Sequence, residues 1–396
     1  MKKRVLVLNH FAARQGSPGG SRHIQLFSRL QRWDACIIAA DRNLSTGKKV
    51  PGDGQTFRTV PTTPFSARYL SRVINWCSYT LGAFLIGLID KPRPTIVYGS
   101  SPHLLAGGAA WAVARLRGAR FVLEIRDIWP LILAEMGALS PDSLTYRALR
   151  LLEEFLYSKA DSIVVLTEGT ATRLRELGVD ASKICVIPNG AEPSDFVASS
   201  TRDEVRQRLC VSGFVFVYAG AHGEANGLDF VLEAARELQH EPSEIQFLLV
   251  GSGPAKAALV RRAAADGLTN VTFMDPVPKA AIPDILEAAD AGLHVLADVP
   301  LFRYGVSPNK VNDYMAAGLP VLTNTPGEVA RLVELAGAGI GVSPNQLVEG
   351  VRRVHGAGED VRARWGESGR RFIQENRSPS VLAHRLEGLL DDVSTR

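Results

Sequence analysis

Lys310 and Asp313 stand three residues apart in the run Tyr304-Gly305-Val306-Ser307-Pro308-Asn309-Lys310-Val311-Asn312-Asp313-Tyr314-Met315-Ala316-Ala317-Gly318-Leu319-Pro320-Val321. A turn at Ser307, Pro308 and Asn309 offers backbone donors just ahead of a predicted helix, Gly318 closes that helix, and Pro320 leads into a strand. Backbone amides and a cation suit a diphosphate, and a carboxylate one turn further along suits the hydroxyls of a ribose. The plain alternative is an exposed i,i+3 ion pair. That alternative leaves the density of turn residues around the pair unexplained.

Glycine-rich turns recur where predicted strands end. Tyr218-Ala219-Gly220-Ala221-His222-Gly223 closes one strand and Gly251-Ser252-Gly253-Pro254 closes the next. Turns of this kind let backbone amides approach a nucleotide phosphate. His222 is a candidate contact to the phosphate or the sugar, and equally a structural loop residue. Near the amino terminus, Ser17-Pro18-Gly19-Gly20-Ser21 lies between the first strand and a helix predicted over 23–32. It is a weaker signal, because an ordinary strand–helix turn explains it as well. A different chemistry is suggested by Arg126-Asp127-Ile128-Trp129-Pro130, directly after a strand. Asp127 there can accept a proton or orient a hydroxyl, and Trp129-Pro130 forms a rigid wall for a second ligand.

The elements that must position these residues are short apolar runs alternating with helical patterns. Strands are predicted at 5–9, 36–40, 96–99, 121–125, 162–166 and 184–188, then at 215–219, 245–250, 271–273, 291–295 and 321–323. Near-continuous apolar runs of this kind belong to parallel sheets covered on both faces. The clearest helix spans about 143–158, with Leu144, Leu149, Leu152, Phe155 and Leu156 at helical spacing. Residues 193–206 are polar and read as a linker. Two runs of strand–helix alternation imply two Rossmann-like, doubly wound α/β domains, with ligands expected at the carboxyl ends of the strands in a cleft between them. The boundaries are 1–195 for an acceptor-side domain and 196–375 for a sugar-nucleotide domain, with a helix at about 376–396 packing back on the first.

At 396 residues the chain is too long for one ordinary core. Hydrophobic content of 46% and charged content of 22% are those of a soluble globular protein. A net charge of +4 suits an anionic ligand or membrane surface and is too small to argue for nucleic acid. Cys36, Cys77, Cys185 and Cys210 are scattered, which points to a reducing compartment rather than a zinc site or disulfide framework. The first apolar run is too brief for a signal peptide. Residues 73–89 carry no charge and lie between Arg68, Arg72 and Lys91, Arg93. They fall short of the ~20 residues of a spanning helix, so a buried or interfacial helix is expected.

The Gly19-Gly20 loop, Val164–Glu168, Ile187-Pro188-Asn189-Gly190-Ala191 and the Met315–Val321 block together resemble the retaining GT-B glycosyltransferases of the family 4 type. Arg-Asp-x-Trp-Pro with Ser-Pro-x-Lys resembles the bacterial O-antigen and capsule branch, which includes N-acetyl-L-fucosamine transferases. The resemblance implies GT-B architecture and a donor site formed by Gly19, Gly20, Gly220, His222, Gly223, Gly251, Gly253, Val277, Ser307, Pro308, Asn309, Lys310 and Asp313. Lys310 and Asp127 take the catalytic roles, and Arg126, Asp127 and Trp129 face the acceptor. The chain departs from the family in three places. Gly305 replaces the first of two acidic residues, Glu224-Ala225-Asn226-Gly227 lacks the usual cations, and Asp127 stands where many relatives carry a histidine. Lys310 is the substitute cation, and Asp313 takes the ribose role.

The implied reaction is transfer of a UDP-linked sugar, of which an N-acetylamino sugar is one candidate, with retention and without a metal or other cofactor. No D-x-D motif stands at a strand end. The implied acceptor is a sugar, a glycolipid or a small molecule. The expected location is the cytoplasm, at the inner membrane surface through residues 68–93. A soluble natural-product glycosyltransferase, a non-hydrolysing sugar-nucleotide epimerase and a non-catalytic sugar-nucleotide binder are the alternatives.

Overall fold

The computed structural model describes residues 2–14, 22–43, 47–64, 69–101, 103–135, 137–242, 244–299, 302 and 305–396. The chain forms two compact units, Met1–Pro188 with Pro379–Arg396, and Asn189–Ser378. The first unit runs β1 (Lys3–Leu8), α1 (Arg22–Phe27), β2 (Trp33–Ala40), β3 (Phe57–Val60), α2 (Tyr69–Ile89), β4 (Ile96–Ser100), α3 (Leu104–Arg117), β5 (Arg120–Ile125), α4 (Leu131–Glu135), α5 (Leu144–Lys159), β6 (Ser162–Val165), α6 (Glu168–Glu176) and β7 (Ile184–Val186). Its sheet has the order β3-β2-β1-β4-β5-β6-β7, with every pairing parallel. Side chains alternate across the strands. Leu6, Leu8, Ile38, Val97 and Leu123 therefore face Tyr79 and Ala83 of α2, Ala110 of α3 and Leu156 of α5. Val5, Val7, Ile37 and Val122 face Leu26 and Phe27 of α1 together with Leu386 and Leu390 from the carboxyl-terminal segment.

The second unit runs α7 (Arg202–Leu209), β8 (Phe214–Ala219), α8 (Asp229–Leu238), β9 (Ile245–Val250), α9 (Lys256–Ala265), β10 (Val271–Met274), α10 (Ile282–Glu287), β11 (Ala291–His294), α11 (Asn309–Ala317), β12 (Val321–Thr323), α12 (Glu328–Leu335), β13 (Gly339–Gly341), α13 (Leu347–Gly356) and α14 (Glu359–Phe372). Its strand order is β10-β9-β8-β11-β12-β13, again all parallel. One face packs on α10, α11 and α12, the other on α8, α9 and α13. A π turn (Ile373–Arg377) follows α14, and α15 (Pro379–Thr395) returns to the first unit. There the Glu387 carboxylate accepts from the backbone amides of Gln31 and Arg32.

Both sheets reverse direction of winding at one point, between β1 and β4 and between β8 and β11. Such a switch point leaves a crevice at the strand carboxyl ends. The structure departs from expectation in several elements. The polar stretch 193–206 is not an open linker. It holds a 3-10 turn (Pro193–Phe196) and the start of α7, closed by a Thr201–Glu204 capping box. Arg202 and Arg206 of that helix both bind the Asp290 carboxylate at 2.6 Å. The helix expected at 23–32 is only α1, Arg22–Phe27. Strands β3 and β13, both at sheet edges, were not expected. The apolar stretch 73–89 is part of the 21-residue helix α2. Asn75, Tyr79, Ala83 and Gly87 are buried along one face while Leu70, Ile74, Leu81, Leu85 and Ile89 are exposed, so the helix is buried on one side only.

Candidate functional site

In the second unit, α11 lies across the switch point for identifiable reasons. The Tyr314 hydroxyl accepts from the Ala219 amide at the end of β8 (2.9 Å). Gly292 of β11 has no side chain because a Cβ there would overlap the Tyr314 ring. The helix begins at Asn309 with Pro308 as a cap that offers no side-chain hydrogen bond. Its leading amides therefore remain open to an anion. Asn189 steadies the turn before it. The Asn189 amide donates to Ser307 Oγ (3.0 Å) and its side chain donates to the Ser307 carbonyl (2.7 Å).

Lys310 projects from this first turn toward the end of β8. Its ammonium donates to the Tyr218 hydroxyl (2.7 Å) and to Asn226 Oδ1 (3.3 Å), and it lies 4.1 Å from the centre of the Tyr218 ring. A Cβ on Gly220 would stand 3.2 Å from both Cε and Nζ of Lys310, so the glycine turn and the lysine are close neighbours. No carboxylate pairs with this ammonium among the described residues, and burial lowers its pKa from 10.5 to about 7. Asp313 also lacks a hydrogen-bond partner among the described residues. Burial raises its pKa to about 7, with Lys279 opposing and Asp195 adding to the rise. The exposed i,i+3 ion pair is therefore not what forms. Both side chains are half-buried and neither is neutralised by the other. Val277 is half-buried and packs on the same core face as α11.

The other glycine turns meet each other. A Cβ on Gly251 would overlap the Gly220 carbonyl, and one on Gly253 would overlap the His222 backbone. Hydrogen bonds from Gly220 N to Val250 O (2.9 Å) and from His222 N to Ser252 O (2.8 Å) lock the two turns together. Gly223 is half-buried beside Asn226. The His222 ring is wholly buried, and its nitrogens lack a hydrogen-bond partner. Burial, with Lys256 and Lys310, lowers its pKa to about 4, against a raising influence from the Val250 carbonyl. Of the two readings of His222, ligand contact or structural loop residue, its burial favours the second, since the imidazole packs under the turns. A pocket of about 310 Å³ at the ends of β11 and β12 is lined by Leu296, Val299, Phe302, Asn324 and Thr325, and by none of the residues marked in the sequence.

In the first unit, Gly19 and Gly20 lie outside the described residues. Arg22, immediately after them, is held at several points. Its guanidinium binds Glu124 (3.0 Å) and the carbonyls of Ile187 (2.7 Å) and Pro188 (2.5 Å). Glu124 also accepts from His23 (2.7 Å) and Ser100 (2.5 Å). Burial opposes its charge, but His23 and Arg22 hold the carboxyl well below the usual range. Asp127 is exposed and Arg126 half-buried at the carboxyl end of β5, with the Arg126 amide donating to Ser101 Oγ (2.9 Å). Trp129 is not the open wall expected. It is buried in the core and meets Trp76 edge-on, ring centres 5.4 Å apart. Trp76 in turn stacks on His103 at 5.4 Å.

Sequence reading missed several residues. Asn312, wholly buried, donates to the carbonyls of Asn189 and Pro308 (both 3.3 Å) and accepts from Arg377 (3.2 Å). It thus ties the Ser307 turn to the segments beside both chain crossings. Tyr218 and Asn226 seat Lys310. His10 and His103 pair through Nδ1 and Nε2 at 2.8 Å. Tyr218, Asn226 and Asn312 stood inside motifs quoted from the sequence, but nothing local to those motifs gave them these partners. Among the described residues, no group of three or more His, Cys, Asp and Glu side chains is arranged to hold a metal ion.

Two parallel-sheet Rossmann-like units of seven and six strands are the architecture of the GT-B class of glycosyltransferases. Residues 18–190 match the glycosyl transferase 4-like domain and residues 213–356 match the glycosyl transferases group 1 domain. The chain belongs to that two-domain glycosyltransferase family. It is 27% identical over 320 residues to WcaI of Escherichia coli (strain K12), a glycosyl transferase named for colanic acid biosynthesis, covering 77% of each chain. It is 27% identical to the glycosyltransferase WbjE of Pseudomonas aeruginosa, covering 76% of each. Its fold matches Anabaena HepE in complex with UDP-glucose at a TM-score of 0.72, with 16% identity over 98% of this chain and 99% of that one.

Proposed function

We propose that this glycosyltransferase moves a sugar from a UDP-sugar, for which an N-acetylamino sugar is a candidate, to a hydroxyl of a growing cell-surface polysaccharide or glycolipid. Transfer retains anomeric configuration, needs no metal, and takes place at the cytoplasmic face of the membrane. The observation that carries the reading is Lys310, a cation without a carboxylate partner among the described residues, set between the Gly220 turn and the amino terminus of α11. WcaI, named for colanic acid biosynthesis, and HepE, bound to UDP-glucose, support the product and donor classes.

The bond that breaks joins the anomeric carbon to a diphosphate oxygen, the bond that forms joins that carbon to the acceptor oxygen on the same face, and the acceptor's hydroxyl proton passes to the departing diphosphate oxygen. Charge grows on the departing diphosphate. The Lys310 ammonium and the backbone amides of Ser307, Asn309 and Lys310 are preorganised to receive it, which is where a site of this kind gains most. Asp313, unpartnered one turn along α11, accepts from the ribose hydroxyls. Asp127, at the end of β5, orients the acceptor hydroxyl. The donor glycines of the second unit are assigned through their backbones: Gly220, Gly223, Gly251 and Gly253 shape turns that carry no side chain to block a phosphate; Gly19 and Gly20 stay in the proposed donor site on the resemblance alone. Gly305, where relatives carry an acid, leaves sugar recognition to backbone groups.

The test is a thermal-shift screen across nucleotide diphosphate sugars, followed by turnover with the donor that binds, in the presence of a chelator. A UDP-sugar is expected to raise the melting temperature, and nuclear magnetic resonance of the product should show the donor's anomeric configuration. Inversion, or a strict requirement for added divalent metal, would overturn the mechanism. Conversion of the donor without any acceptor would favour an epimerase. Asp127→Asn should leave the donor-induced shift intact and lower transfer.

A further inference from the structure

Helix α2 has two unlike faces. Leu70, Ile74, Leu81, Leu85 and Ile89 are 69%, 49%, 61%, 53% and 75% exposed, and Cys77 is exposed among them. Their spacing of four, three, four, four and four residues sets them on one stripe along the whole helix. Water-facing apolar stripes of this length are unusual on a soluble domain and mark a surface that meets something else. The opposite face carries Asn75, Tyr79, Ala83 and Gly87, all buried against the sheet.

Charge decides what that something is. No acidic residue occurs between Tyr69 and Ile89. The first acid beyond the helix, Asp90, is buried and consumed by Arg4 (2.8 Å) and Arg58 (2.6 Å). The exposed charges at the helix ends are cationic: Arg72 near the start, Lys91 and Arg93 just past the finish. Arg117 of α3 hydrogen-bonds the carbonyls of Leu88 and Asp90, which brings exposed Arg115 and Leu116 (65% exposed) beside that end. An apolar stripe rimmed by cations fits the boundary between acyl chains and anionic headgroups. A second copy of this chain would have to set the same cations against each other.

We propose that the outer stripe of α2, extended by Leu116 and Arg115 of α3, docks this protein on an anionic membrane. This deepens the proposed function by naming the surface at which the acceptor is met. The inner face of the same helix gives the docking a consequence. Asn75, Trp76 and Tyr79, in its amino-terminal half, meet His10, His103 and Trp129 at the carboxyl ends of β1, β4 and β5. The end of the helix nearest those strand ends therefore rests on lipid while its other side backs the segment that carries Asp127. A hydroxyl carried on a membrane lipid would arrive at the same edge of the sheet.

The experiment is flotation of the full chain with vesicles of phosphatidylglycerol and phosphatidylethanolamine, and with vesicles of phosphatidylcholine alone. The wild type is expected to float with the anionic vesicles, less so at high salt, and weakly with phosphatidylcholine. The double variant Leu81→Glu with Leu85→Glu should lower partitioning at least about tenfold. Both positions are exposed, so its melting temperature should stay near wild type. Should the double variant nonetheless unfold, Lys91→Glu keeps the question open to a decision, with a several-fold loss on anionic vesicles alone expected. A wild type that stays off anionic vesicles, or a folded double variant that binds as well as wild type, overturns the proposal. So does a solution dimer that the double variant dissociates without any vesicle binding, which would make the stripe a self-interface. Flotation is read without any sugar nucleotide, so its failure is distinct from failure of the donor assignment.

Discussion

Lys310 is unusual because its charge is conditional. A lysine with its pKa lowered to about 7 by burial is a cation below neutrality and loses that charge as pH rises through 7. UDP binding by the free enzyme should therefore weaken as pH rises from 6 to 8.5. Asp313 loses its own proton over the same range, which makes it a stronger acceptor for the ribose hydroxyls and offsets part of that loss. Calorimetric titration of UDP across that range tests this, and Lys310→Arg should flatten the part due to the lysine, since arginine stays charged. Lys310→Ala is expected to lower donor turnover by about 10²–10³-fold, the usual cost of removing one preorganised charge donor. Near wild-type rates would show that the phosphate charge is met elsewhere. Gly220→Ala should cost some stability, because it crowds the end of Lys310 and the hydroxyl of the buried Tyr218 by a few tenths of an ångström. It should also reduce donor turnover, by shifting the ammonium. At this scale the sequence marked Lys310 and Asp313 but not their surroundings. Tyr218 and Asn226 lie 92 and 84 residues away in the chain and become partners only on folding.

At the scale of elements, α11 is the part most tightly specified by its neighbours. Tyr314 fixes it to β8, and Asn312 joins its first turn to Asn189 and Arg377. Asn312→Ala would leave buried polar groups unpaired, at a cost of about 1–3 kcal/mol. Denaturant unfolding should show that loss, and the donor KM should rise while Asn312→Asp restores part of the stability. Helix α7 shows what a local signal can and cannot tell. Its Thr201–Glu204 capping box was present in the sequence, but the composition around it masked the helix. Thr201→Ala is expected to destabilise the protein by about 1 kcal/mol, measured in the same way. Strands β3 and β13 escaped for another reason. Phe57-Arg58-Thr59-Val60 and Gly339-Ile340-Gly341 are short edge strands without an apolar run, and only their paired neighbours make them strands.

The whole molecule carries several buried neutral histidines, and these set its response to acid. Burial, with His103 adding and Asn75 opposing, lowers His10 to about 2, and burial alone lowers His103 to about 3. The hydrogen bonds assign their tautomers. His103 Nδ1 accepts from the Ala106 amide (3.3 Å), so its Nε2 donates to Nδ1 of His10. In the unfolded chain both rings take up a proton below about 6.5. Stability is therefore fully present above that pH and falls as pH drops toward 3. The melting temperature should decline steadily from pH 6.5 to 4.5. His103→Gln should reduce the slope, even if it lowers stability at pH 7. A melting temperature unchanged over that interval would mean that the pair is charged in the folded state.

Periodicity and punctuation are local properties, and they carried the local answers: parallel strands from continuous apolar runs, two doubly wound units from their alternation, and the Lys310–Asp313 segment from its turn residues. Burial and partnership are not local. Trp129 looks like an exposed wall beside a proline until Trp76 closes over it. His222 looks like a ligand contact until the Gly220 and Gly253 turns enclose it. The α2 stretch looks like a core helix until the sheet is found to cover only one of its faces. Each outcome depends on which strands the crossovers set side by side, and adjacent strands at each switch point come from distant parts of the chain. The chemical types in the site were therefore readable from the chain, whereas their charge states, partners and access to solvent were decided by tertiary packing.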